Sequence, residues 1–130
     1  MQRPQREEDR EERMRLEIGV DAQGAEEQAM RWYHYLTDTL AFPFITPCRA
    51  KRAIAPLQMG DEVDVIGMAP EDECQHEIFV LMRWEREGLA VPLSQLTVAY
   101  ADDETRQAVG DWLYWADRGY RFYVLGVNPL

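Results

Sequence analysis

The sequence predicts an α+β protein in which a small antiparallel five-stranded barrel of the SH3-like kind is flanked by two α-helices. Three observations carry this expectation. Apolar residues recur at helical spacing in two separate stretches, at Ala29, Trp32, Tyr33, Leu36 and Leu40 and again at Ala108, Val109, Trp112, Trp115 and Ala116. Between them, short apolar runs alternate with turn residues, the pattern of tightly connected strands. The chain has 130 residues, enough for one domain to bury a core without disulfides.

Taken in order, residues 1–20 form a charged N-terminal arm, with six acids against five arginines, and residues 21–130 a single domain. Asp9 to Arg13 and Glu11 to Arg15 are spaced i, i+4, so the arm reads either as a solvated helix or as a disordered segment. Leu16, Ile18 and Val20 alternate with polar or small residues and predict a short strand closed by Asp21 and Gly24. The first helix starts near Ala25, with Glu26 and Glu27 complementing its dipole, and Pro43 ends it. Asp38 lies just off its apolar stripe. Five strands are expected at Cys48–Ile54, Glu62–Met68, Glu77–Trp84, Leu89–Leu93 and Leu96–Tyr100, with Pro92 marking a sheet edge or strand end. Asp102 and Asp103 suit the cap of a second helix running to Arg118 before Gly119. The tail, residues 121–127, has strand propensity and would pair with Leu16–Val20.

Composition narrows the function. A net charge of −10 disfavours nucleic acid and anionic membranes as partners and favours cations or basic protein surfaces. No apolar run approaches the ~20 residues that span a bilayer, and the first residues lack the apolar core of a signal peptide, so a cytoplasmic location is expected. Ser94 is the sole serine and has no nearby histidine, and no glycine-rich phosphate loop occurs; an enzyme is not expected. Cys48 and Cys74 read as small buried hydrophobes.

The charge concentrates between Asp61 and Glu77, where seven carboxylates (Asp61, Glu62, Asp64, Glu71, Asp72, Glu73 and Glu77) stand without one Lys or Arg. Glu71, Asp72 and Glu73 are consecutive after Pro70, which places them in a loop. Calcium takes about 6–8 oxygen ligands in irregular geometry, so such a loop suits it; a solvated acidic surface is the plainer reading. An EF-hand is excluded: counted from Asp61, the third position is Val63 and the twelfth Asp72. Any calcium site must therefore draw on segments distant in sequence. Cys74 and His76, with Cys48 and His34 as remote partners, offer a weaker zinc or copper alternative.

Four segments, WYHYLTDTLAFPF (Trp32–Phe44), GMAPEDEC (Gly67–Cys74), VPLSQL (Val91–Leu96) and DWLYWADRGY (Asp111–Tyr120), resemble in one collinear order the small acidic calcium-binding protein family of cyanobacteria. That family is associated with control of free calcium during heterocyst differentiation. The resemblance implies a calcium buffer or sensor without EF-hands. It carries over Asp38, Glu71, Asp72, Glu73 and Asp111 as metal ligands, and Glu77 joins them by proximity. The expected site brings Asp38 from the first helix to the Glu71–Glu73 loop beside the barrel. An acidic SH3-like module meeting a basic protein partner is the alternative from another class.

Overall fold

The computed structural model describes residues 7–84, 87–97 and 101–118. Helix α1 spans Glu8–Glu17, with Glu8, Asp9 and Glu11 in its first turn and Arg15 in its last, the distribution its dipole favours. The strand expected at Leu16–Val20 is absent because Leu16 and Glu17 complete this helix. Ile18 and Gly19 both donate backbone N–H to the Met14 carbonyl, and Gly19, at φ +83°, turns the chain away. The alternation was an accident of spacing: Met14 and Ile18, four apart, are buried, while Leu16 is 71% exposed.

Helix α2, Ala25–Thr39, buries Ala29, Trp32 and Leu36. It stops at Thr39, four residues before Pro43, and the N–H of the capping Leu40 closes the last turn on Leu36. The segment that follows is held by a bond from the Ala41 N–H to the hydroxyl of buried Thr105, at 2.8 Å. Helix α3, Asp103–Asp117, is capped as its sequence predicts, the Asp102 carboxylate accepting the Thr105 N–H at 2.7 Å. Trp32 of α2 packs edge-on to Trp112 of α3, with ring centroids 5.1 Å apart, and tilts against Trp115 at 5.8 Å. Three indoles thus form the centre of the helical layer.

The strands are β1 Phe44–Pro47, β2 Glu62–Met68, β3 Phe79–Trp84 and β4 Glu87–Pro92, antiparallel in the order β1-β2-β3-β4. Phe44, Thr46, Val63, Val65, Val80, Met82 and Val91 form the inner face. The five-stranded SH3-like barrel is not formed; the sheet is open and four-stranded. Among the described residues the first expected strand, Cys48–Ile54, does not form. Cys48–Ile54 leaves the sheet after Pro47, and only Cys48 makes a bridge, to Leu96. Pro92 then begins a 3-10 turn, Leu93–Gln95, and of the fifth expected strand, Leu96–Tyr100, only Leu96 and Thr97 fall within the described residues, Leu96 in that isolated bridge. That bridge is flanked by bonds from Arg49 N–H to the Gln95 carbonyl and from Thr97 N–H to the Pro47 carbonyl. The strand expected in the tail lies outside the described residues.

Candidate metal centre

The acidic stretch is built from the end of β2. Ala69 is fully buried; its N–H donates to the Phe79 carbonyl at 3.2 Å, and its carbonyl accepts the Tyr33 hydroxyl at 2.8 Å. Pro70 then sets the chain into a 3-10 turn, Glu71–Cys74, closed by the Glu73 N–H on the Pro70 carbonyl at 2.9 Å. With three residues per turn the side chains fan around the axis, and Glu71, Asp72 and Glu73 are all exposed. Cys74 closes the turn as a buried residue, its sulfur accepting the Phe79 N–H at 3.4 Å.

Between this turn and α2 lies a cavity of about 60 Å3, lined among others by Glu26, Tyr33, Glu71, Cys74 and Gln75. The electrostatics there are negative. Burial raises the Tyr33 hydroxyl above its ordinary pKa, and the charges of Cys74, Glu71 and Asp72 raise it further. Burial likewise raises the Cys74 thiol, against the Phe79 N–H and with help from Glu73 and Asp72. A thiol held protonated is a poor zinc ligand. Cys48 is buried too and donates to the Ala50 carbonyl, while His34 and His76 are exposed.

The six expected ligands are not gathered at one point. Asp38 is exposed on another face of α2, beside a shallow depression it shares with Glu17, Glu27, Arg31 and His34. Glu77 faces Arg52 in a two-pronged pair at 2.8 and 2.9 Å. Asp111 is fully buried in α3 and receives two bonds from Arg13 of α1, at 2.9 and 2.6 Å, and a third from the Tyr35 hydroxyl at 3.2 Å. Glu71, Asp72 and Glu73 stand together on the turn. Among the described residues no group of three or more His, Cys, Asp or Glu is arranged to hold an ion in this conformation.

Ion pairing sorts these acids. Asp64, Glu77, Asp111 and Asp117 each meet an arginine. Among the described residues no cationic side chain pairs with Glu71, Asp72, Glu73 or Glu26. Glu26, which lines the cavity with Glu71, was not singled out from the sequence, because its place in the first turn of α2 is already accounted for by the helix dipole. The available signal was its spacing: Glu26, Ala29, Met30 and Tyr33 share one helical face.

The chain matches the family model for calcium binding named CcbP over residues 12–116. Two solved structures are similar to it. One, described as the crystal structure of Anabaena CcbP, is 41% identical with a TM-score of 0.77, covering 92% of this chain and 98% of that one. The other, described as a calcium binding protein in the calcium-binding form, is also 41% identical with a TM-score of 0.77, covering 90% and 96%. No curated protein sequence matches. Matched over most of its length by that family model and by both structures, this chain belongs to the calcium-binding CcbP family.

Proposed function

We propose that this chain binds calcium at the Glu71–Glu73 turn, with Glu26 facing it across the cavity, and serves as a buffer or sensor of the ion. The observation that carries the reading is the contrast in pairing. Four other carboxylates are neutralised by arginine, whereas three consecutive ones share a fixed turn with no counter-ion among the described residues. Their mutual repulsion is relieved by a divalent cation. The donors fit a hard ion: they are carboxylate oxygens, and Gln75 at the cavity rim adds an amide oxygen. When bound, calcium would supply charge neutralisation and a reason for the turn to adopt one arrangement. Asp38, on its separate face, is proposed as a second carboxylate position and not as a ligand to the same ion.

Calorimetry with calcium in excess magnesium tests this. We expect a Kd on the order of 10⁻⁷ to 10⁻⁵ M and weak competition by magnesium, which keeps its waters and demands a tighter octahedron. Asp72→Asn combined with Glu73→Gln should remove most of the affinity. Full retention of calcium binding in that double variant would refute the placement.

A further inference from the structure

The acidic turn is fastened on one side to β3 and on the other to α2. Ala69 N–H donates to the Phe79 carbonyl and Phe79 N–H meets the Cys74 sulfur, so both ends of the turn are fastened to one residue of β3. Those two contacts close the loop but do not fix its face relative to α2. Tyr33 does that, its hydroxyl reaching the Ala69 carbonyl across a separation of 36 residues. The same side chain lines the cavity between Glu26 and Glu71. Ala69 is fully buried, so water cannot simply replace the lost donor at its carbonyl.

Resting on the calcium reading above, we propose that Tyr33 is a positioning residue for calcium binding: through the Ala69 carbonyl it orients the acidic turn toward α2, so that Glu71 faces Glu26 before the ion arrives. The physical reason is preorganisation. A turn already held in its binding orientation loses less conformational freedom when the ion binds. Without the Tyr33 hydroxyl the Ala69 carbonyl must find another donor, and the turn tilts to reach one.

The test is Tyr33→Phe in the full chain, which keeps the ring and removes only the hydroxyl, with Tyr35→Phe as control. Tyr35 also donates one hydroxyl bond, but to Asp111, away from the turn. Calorimetry should show the calcium Kd raised about fivefold in Tyr33→Phe, the scale of one intramolecular hydrogen bond, and unchanged in Tyr35→Phe. In a Glu71→Gln background the effect of Tyr33→Phe should shrink, because the group being oriented has lost its charge. An unchanged Kd in Tyr33→Phe, or equal losses in both tyrosine variants, overturns the positioning role while leaving calcium binding intact. Absence of calcium binding by the unaltered chain would instead remove the reading on which the role rests.

Discussion

Asp72 and Asp111 are the same side chain in opposite circumstances. Asp111 is sealed between α1 and α3, and its oxygens are occupied by the guanidinium of Arg13 and the hydroxyl of Tyr35. Breaking such a pair leaves a buried charge without compensation, at a cost of about 3–5 kcal/mol. Arg13→Ala should therefore lower the melting temperature by roughly 10 °C for a chain of this length, measured by circular dichroism in chelator. Tyr35 extends the same network to alkaline pH. Burial raises its pKa to about 12, the Asp111 charge and hydrogen bond adding to the shift and Arg13 opposing it. Since the folded value lies above the ordinary one near 10, the stabilisation from neutral Tyr35 is complete below pH ~10 and is lost as pH rises through about 12. An alkaline unfolding titration should accordingly become flatter in Tyr35→Phe than in the parent between those limits. Asp72, by contrast, is exposed and pairs with no cation among the described residues. The resemblance placed both among the ligands, and a linear chain does not reveal that Arg13 lies opposite a residue 98 positions away. Three adjacent acids after a proline were legible as a unit; the pairing that separates available carboxylates from committed ones was not.

At the level of elements, legibility followed length and periodicity. Helices α2 and α3, each with a stripe of indoles and aliphatics, were visible in outline, as was the Asp102 cap. So was β2, whose bounds match the expected strand. Helix α1 was half visible: its i, i+4 ion pairs suggested a helix, but its docking depends on contacts with distant residues. The Tyr114 hydroxyl accepts the Glu7 N–H and donates to Glu11, and Arg10 donates to the Gly110 carbonyl. None of these long-range bonds leaves a local sequence signal. The barrel was over-read for a related reason. The apolar run at Cys48–Ile54 looks like a strand, yet after Pro47 the chain leaves the ladder and only Cys48 makes a bridge. The Asp102 cap belongs to this scale as well. Its carboxylate sits below its ordinary pKa, chiefly because it accepts the Thr105 N–H. With the folded value depressed, the cap is intact above pH ~4 and weakens as pH falls through the lower folded value. Asp102→Asn should keep a neutral cap and remove that acid sensitivity of α3, a difference detectable in the helical circular dichroism signal below pH 4.

For the molecule as a whole, a net charge of −10 sets the terms on which an ion acts. A ligand that binds only the folded state raises stability by about 2.7 kcal/mol at a hundredfold excess over its Kd. Calcium in place of chelator should then raise the melting temperature by several degrees, and the Asp72→Asn with Glu73→Gln double variant should lose most of that difference. The variant should also melt higher than the parent in chelator, since two mutually repelling charges are gone. The isolated bridge bears on how this molecule breathes. The Cys48–Leu96 pairing and the two bonds beside it lie outside the sheet ladder and offer a natural place to unzip while the open four-stranded sheet stays intact. In deuterated water the amide hydrogens of Arg49 and Thr97 should trade places with solvent well before those buried in the middle of β3.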